Sequence, residues 1–213
     1  MSMRSAIVLV GGEARRAGGR EKYFFTYRGK TFIDRLLDTL KEVVDEIVVV
    51  ARDPEQCERF CHLDEIRCIS DIRRGIGPIG GLHAGALTVH GEYVFVSACD
   101  MPCVHADVVS LLFDAIDDYD AVIPSWNPDM FEPLHAVYRR SALLGYLQEH
   151  QSLSLRSMVR SLNTRYISVD RIRQIDPELL TFVNINKLED LDAINRLLRG
   201  KDDACGHSRG DTG

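Results

Sequence analysis

Ser5-Ala-Ile-Val-Leu-Val10 runs directly into Gly11-Gly-Glu-Ala-Arg-Arg-Ala-Gly-Gly-Arg-Glu-Lys22, and the architecture of the chain can be inferred from this junction. The apolar run does not alternate, the pattern of a strand covered on both faces and so of a parallel sheet. Glycines end it. A second glycine pair and four basic side chains follow within one loop's length. Glycines let backbone N–H groups approach an anion, and arginine and lysine supply the opposing charge. No Gly-Lys-Ser/Thr follows, so this is not a Walker A motif, and the spacing is not Gly-x-Gly-x-x-Gly. We read it as a loop that wraps the phosphates of a nucleotide. A glycine turn with basic residues facing water is the plainer alternative.

Working outward, strand and helix alternate. Ile33, Leu36, Leu37, Leu40 and Val44 share one face of a helix over 31–44, with Thr31 as its N-cap. A strand follows over 46–51, a proline-opened helix over 54–62 and a short strand over 66–70. A second glycine-rich loop, 71–81, leads to a helix from Leu82. Tyr93 to Ala98 is another buried strand, ending in Cys99-Asp100-Met101-Pro102. A helix near 105–118 and a strand over 120–124 continue the rhythm. Such alternation predicts a single-domain α/β fold with a mostly parallel, doubly wound, Rossmann-like sheet. Beyond it, 125–133 reads as a loop with exposed aromatics and 134–138 as a strand. Helices over 141–150 and 153–162, strands at 165–169 and 182–186, and a closing helix over 188–198 complete the domain, 1–199. The polar, glycine-rich segment 200–213 is expected to be a disordered tail.

The chain has 213 residues, 45% of them hydrophobic, and a net charge of −6. A domain of this length buries a proper core. A protein that coats nucleic acid would be basic, so no nucleic-acid partner is expected. No apolar run reaches 18 residues and no signal-peptide pattern opens the chain, so no membrane partner and a cytoplasmic location are expected. Cysteines stand at 57, 61, 68, 99, 103 and 205. Cys57, Cys61, His62 and Cys68 could be imagined as a metal cluster, but the spacing lacks a Cys-x-x-Cys pair and favours reduced packing or surface thiols.

In an open α/β sheet, ligands sit beyond the carboxyl ends of the strands. Four segments place polar residues there: 11–22, 71–81, 99–102 and 184–186. Asp100, directly after an apolar strand, suits Mg²⁺, a hard cation that takes oxygen ligands, or else caps the helix near 105. Asn184 and Asn186 alternate with Val183 and Ile185. On a strand they would share one face, free for a phosphate, a sugar or metal-bound water; otherwise they end an ordinary strand.

Leu9-Val-Gly-Gly-Glu-Ala-Arg-Arg-Ala-Gly-Gly-Arg-Glu-Lys22 resembles the signature loop of nucleotidyltransferases with a glycosyltransferase-A-like fold. Within them the chain is most similar to the molybdenum cofactor guanylyltransferase family. The narrowing features are Asp71 with Gly77-Pro78-Ile79-Gly80-Gly81, Cys99-Asp100-Met101-Pro102, Glu132-Pro133-Leu134-His135-Ala136-Val137-Tyr138, and Phe182-Val-Asn-Ile-Asn186 followed by Glu189-Asp190-Leu191. The similarity spans residues 5–198. Departures are Ala14, Ala17, Glu21, Lys187 and Leu188, and Ala51-Arg52-Asp53 where relatives often have a base-reading asparagine.

The resemblance implies transfer of GMP from GTP to molybdenum-bound molybdopterin, with release of pyrophosphate. It implies GTP contacts by Leu9, Val10, Gly11, Gly12, Lys22, Asp71, Gly77, Pro78, Gly81 and Asp100, with Gly18 also in the loop. It makes Arg16, Lys22 and Asp100 the catalytic set, Mg²⁺ on Asp100 the cofactor, and Asn184 and Asn186 the pterin-side pair. The attacking phosphate, with a second pKa near ~6, is already ionised at neutral pH and needs shielding rather than a strong base. Alternatives sharing the loop are molybdopterin cytidylyltransferase, 2-phospholactate guanylyltransferase and sugar-phosphate nucleotidyltransferases; a non-catalytic GTP-binding regulator is a further one. His83 and His135 lie nearest the expected site, as packing residues.

Overall fold

A strand that is apolar on both faces needs cover on both, and the chain supplies it. The computed structural model describes residues 2–11, 25–27, 29–61, 63, 66–73, 75–149 and 152–185. β1 (Arg4–Leu9) is followed by a small ribbon, β2 (Thr26–Tyr27) and β3 (Lys30–Thr31). Then come α1 (Phe32–Lys41), β4 (Glu46–Ala51), α2 (Pro54–Glu58), β5 (Arg67–Ser70), α3 (Pro78–Thr88) and β6 (Tyr93–Ala98). The second half contains α4 (Ala106–Asp114), β7 (Ala121–Asn127), β8 (Met130–Phe131), β9 (His135–Arg139), α5 (Arg140–Glu149), α6 (Leu155–Ser161), β10 (Thr164–Ser168) and α7 (Val169–Ile172). A 3-10 turn, Leu180–Phe182, comes last among the described residues.

Among these residues the main sheet has eight strands in the order β10-β7-β9-β6-β1-β4-β5, with β8 paired to β7. β5, β4, β1 and β6 run parallel, while β9 is antiparallel to both of its neighbours. Alternate residues of β1 then face opposite layers. Ala6, Val8 and Val10 join a cluster with Ile33, Leu36 and Leu40 of α1 and Val108 and Leu112 of α4. Ile7 and Leu9 join the other, with Ile79 and Leu82 of α3, Leu143 of α5 and Met158 of α6. Each large apolar side chain so buried stabilises the fold by roughly 1.5–3 kcal/mol. The α/β, mostly parallel architecture expected from the sequence is the one observed.

Thr31 caps α1, its hydroxyl accepting from the Asp34 amide at 3.2 Å. Four local expectations are corrected. The segment 71–81 is not wholly a loop: α3 begins at Pro78, so Gly80 and Gly81 lie in its first turn. Proline at the first position suits a helix start, because its missing N–H would be unpaired there anyway. The loop expected over 125–133 is instead a hairpin of the end of β7 with β8. Of the strand expected over 182–186, the described residues 182–185 form none; the chain makes the 3-10 turn and then runs irregularly to 185. The helices expected over 54–62 and 105–118 end at Glu58 and Asp114. The closing helix over 188–198 and the tail 200–213 lie outside the described residues.

At the opposite end of the sheet, Glu46 joins β1, β4 and the start of β6. It accepts from the Ser5 hydroxyl at 2.7 Å and from the His90 amide at 2.8 Å. Burial alone would raise its pKa, but these bonds and the His90 side chain together hold it below its ordinary value.

Candidate active site

The carboxyl ends of β1, β4 and β5 open into one cavity of ≈ 310 Å³. It is lined on one side by Leu9 and Gly11, on the other by Asp71, Gly77, Pro78 and Gly81, with Arg52 between. Backbone ladders carry these ends into place. The Val10 amide donates to the Val50 carbonyl at 3.0 Å and the Asp71 amide to the Ala51 carbonyl at 2.8 Å. Val10 itself turns its side chain into the core on the other face, so only its backbone can contribute.

Asp71 has a defined seat. One carboxylate oxygen accepts from the Arg73 amide at 2.7 Å. A Cβ on Gly80 would lie 2.7 Å from both Asp71 oxygens and from the Arg73 carbonyl. The glycine therefore lets the carboxylate rest on the first turn of α3, where the positive end of the helix dipole favours it. Gly77, at φ 75°, supplies the left-handed turn that aims the helix there. A carboxylate in this place accepts hydrogen bonds, so it suits the hydroxyls and N–H groups of a nucleoside and repels a phosphate.

Arg52 is held by its neighbours. Its Nε donates to Asp53 at 2.8 Å, and its amide donates to the side chain of Gln56 at 2.7 Å. Gln56 is itself buried, and its own amide donates to Asp53, the N-cap of α2. Sequence reasoning overlooked Gln56. A cap residue followed three positions later by glutamine was the available signal.

Asp100 stands at the end of β6, half-buried, and does not line the cavity. The cap of α4 is His105, so the alternative reading of Asp100 as that cap is set aside. The loop carrying Asp100 is clasped at both ends. The Ile185 amide donates to the Asp100 carbonyl at 2.9 Å, and the His105 amide donates to the Thr181 hydroxyl at 3.2 Å. Ile185 is fully buried with Phe25 and Phe32, and Cys103 packs on the same small cluster. Asn184 is exposed beside it.

Thr181 owes its place to a tight turn and a buried imidazole. Leu179 adopts a left-handed conformation, φ 54°, unusual for leucine and costing on the order of 1 kcal/mol. The Thr181 amide donates to Asp176 at 2.8 Å, which holds that turn. The Thr181 hydroxyl meets His135 Nε2 at 3.2 Å. His135 lies edge-on to Phe95 and Phe182, at 5.1 and 5.0 Å between ring centres. Burial lowers its pKa to about 3, so the ring is neutral at physiological pH. Trp126 packs against Phe182 at 5.8 Å, and its indole N–H donates to Glu132 at 3.1 Å. The β7–β8 hairpin thus stands on the same rim.

Residues 6–166 match the family of the MobA-like NTP transferase domain. Across 208 residues the chain is 41% identical to a probable molybdenum cofactor guanylyltransferase of Methanosarcina acetivorans, covering 93% of this chain and 92% of that one. The chain belongs to the molybdenum cofactor guanylyltransferase family. A molybdenum cofactor guanylyltransferase of Desulfosudis oleivorans is 37% identical over 199 residues, 90% of this chain and 94% of the relative. The crystal structure of molybdopterin-guanine dinucleotide biosynthesis protein A from Archaeoglobus fulgidus superposes with a TM-score of 0.76 at 32% identity, covering 92% of this chain and 99% of that one. Membership of the MobA-like transferases bears out the nucleotidyltransferase fold and the enzyme class expected from the sequence.

Of the expected site residues, Leu9, Gly11, Asp71, Gly77, Pro78 and Gly81 come together in the cavity. Asp100 and Asn184 are joined instead through Ile185. Gly12, Arg16, Gly18, Lys22 and Asn186 lie outside the described residues. Among the described residues, no helix is long and apolar enough to cross a membrane.

Proposed function

We propose that this chain transfers GMP from GTP to the terminal phosphate of molybdenum-bound molybdopterin, forming the guanine dinucleotide cofactor and releasing pyrophosphate. The observation that carries this reading is the polarity of the cavity. Its α3 side ends in the Asp71 carboxylate, an acceptor for nucleoside hydroxyl and N–H groups, and its β1 side ends in Gly11, from which the basic loop departs. The nucleoside then lies toward α3. The phosphates extend toward the loop, where the resemblance puts Arg16 and Lys22. The α-phosphate points along the sheet edge toward Asp100.

The residues present fit a hard divalent cation. Asp100 offers carboxylate oxygen, and no group of three or more His, Cys, Asp or Glu forms a protein cage among the described residues. That is the habit of Mg²⁺, which leans on one or two carboxylates and on substrate phosphates. Bound there, Mg²⁺ would offset charge on the triphosphate and the leaving pyrophosphate. The chain's part is positioning and electrostatic stabilisation. Asp71 orients the nucleoside, the basic loop shields two anions that must meet, and the clasped 100–105 loop fixes its carboxylate. The acceptor reaches the α-phosphate from the rim formed by Asn184 and the Trp126–Phe131 hairpin, the side to which the resemblance assigns Asn186 as well. A cytoplasmic location accords with such cofactor assembly.

The test is pyrophosphate release measured with each of the four ribonucleoside triphosphates, with and without molybdopterin and Mg²⁺. GTP alone should support release, and only with the pterin and the cation. Equal release with CTP, or release to a sugar phosphate instead, would overturn the guanylyl or the pterin assignment respectively.

A further inference from the structure

The cleft between α2 and β5 has no part in the site described above. It is open, ≈ 510 Å³ in volume, and its lining includes Cys57, Cys61 and Cys68. Cys57 comes from α2 and Cys68 from β5, the edge strand, and both sulfurs are free thiols. Both are partly buried against the same core layer, and Cys57 lies near enough to Cys68 to raise its pKa. Neighbouring thiols on two packed elements join once their sulfurs reach the bond length of about 2 Å.

We propose that Cys57 and Cys68 form a thiol–disulfide exchange site. A low-molecular-weight disulfide enters the cleft and is reduced while the two side chains join, and the cross-link alters the neighbouring nucleotide cavity. The Cys57 thiolate attacks one sulfur of the small disulfide, forming a mixed disulfide and expelling one thiolate. Cys68 then attacks the Cys57 sulfur and expels the second. Two protein thiols are oxidised, one small disulfide becomes two small thiols, and the two protons of the protein thiols end on those products. Burial, then Cys57 beside it, raise the pKa of the Cys68 thiol, and capping Cys57 as the mixed disulfide removes that second contribution before Cys68 attacks.

The bond would be felt next door. Cys57 lies one helical turn after Asp53, which holds the Arg52 guanidinium. Cys68 lies three residues before Asp71 on the same strand end. Arg52 and Asp71 both line the nucleotide cavity. Drawing α2 onto β5 moves the two walls together.

The test uses the full chain, reduced and then treated with 2,2′-dithiodipyridine or oxidised glutathione. A non-reducing peptide map should join Cys57 to Cys68, in a linked peptide about 2 Da lighter in mass than the two reduced peptides together. Cys61→Ser should keep that link. Cys68→Ser should instead accumulate a mixed disulfide at Cys57. A stable mixed disulfide at Cys57 or Cys68 of the unaltered chain, or a link from Cys57 to the exposed Cys61, would overturn the pairing. Binding of a fluorescent GTP analogue should weaken about 5-fold on oxidation and recover with reductant; unchanged affinity would remove the coupling. This second arm rests on the nucleotide reading above. Absence of binding by the reduced chain would count against that reading and leave the mass result standing.

Discussion

The Ile185 amide donates to the Asp100 carbonyl at 2.9 Å, so the acidic loop after β6 is tied to a segment far along the chain. Thr181 makes the second tie, to the His105 amide. Between them the two bonds fix the loop without using the Asp100 carboxylate.

Asp100→Ala removes that carboxylate and leaves both backbone ties intact. Pyrophosphate release should fall about 10²–10³-fold, the scale of losing one transition-state stabiliser. The circular-dichroism spectrum and melting temperature should stay close to those of the unaltered chain. Full turnover at low Mg²⁺ would exclude Asp100 as the metal ligand.

Thr181→Val keeps shape and removes the hydroxyl shared by the His105 amide and His135 Nε2. Leaving buried polar groups unpaired costs about 1–3 kcal/mol. Urea denaturation should show that loss. The Mg²⁺ concentration for half-maximal activity should rise, because the Asp100 loop loses one of its ties, while GTP binding at the far cavity should hardly change.

Gly80→Ala places a methyl group 2.7 Å from the Asp71 carboxylate and from a backbone carbonyl. The carbonyl cannot swing away, so the gain of about 1 kcal/mol in helix propensity is outweighed by about 1–3 kcal/mol of overpacking. With Asp71 displaced, the KM for GTP should rise roughly 10-fold while the KM for the pterin holds. An unmoved GTP KM would take Asp71 out of nucleoside recognition.

His135→Phe tests the buried imidazole through pH. In the unfolded chain this ring titrates near ~6.5, but burial lowers the folded value to about 3. Between those values the unfolded chain binds more protons, so stability is full above the unfolded value and is lost as pH falls toward the folded one. Phenylalanine removes the titration. The variant should be the less stable at pH 8, having lost the Thr181 contact, yet its stability should fall less steeply from pH 6.5 to 4. Parallel pH curves would show that His135 is not the group responsible.

Gly145→Ala is a control away from the site. It lies within α5 and an added methyl meets nothing within 4 Å. Helix propensity alone predicts a gain of about 0.5–1 kcal/mol, seen as a small rise in melting temperature with unchanged kinetics.

Much of the cavity was legible because it sits where patterns end. An unbroken apolar run that stops at Gly11 reads as a buried strand, and its end lines the cavity; another that stops before Asp100 reads the same way, though its end lies beside the cavity. The start of α3 was hidden by its own residues: Gly80 and Gly81 are poor helix formers, and their value lies in closeness to Asp71 and to Leu9, 3.2 Å from an added Cβ on Gly81. The 182–186 segment mimics a strand because apolar and polar residues alternate in the sequence, although Phe182 is buried and Asn184, two positions on, is exposed. What turns it is the left-handed Leu179 and the Asp176 bond, neither of which leaves a mark on periodicity. Gln56 was passed over for a different reason: glutamine is rarely buried, and beyond the cap spacing nothing in the sequence marks its reach to the Arg52 amide and the Val10 carbonyl.

Phe25, Phe32 and Ile185 meet in one small apolar cluster. The first two belong to the beginning of the chain and the third is reached only near its end. During synthesis, the cavity-lining residues up to Gly81 emerge early, but the seat of Phe25 is finished only when Ile185 arrives. The order of translation therefore withholds this cluster from the nascent chain until the segment that steadies the Asp100 loop is also in hand.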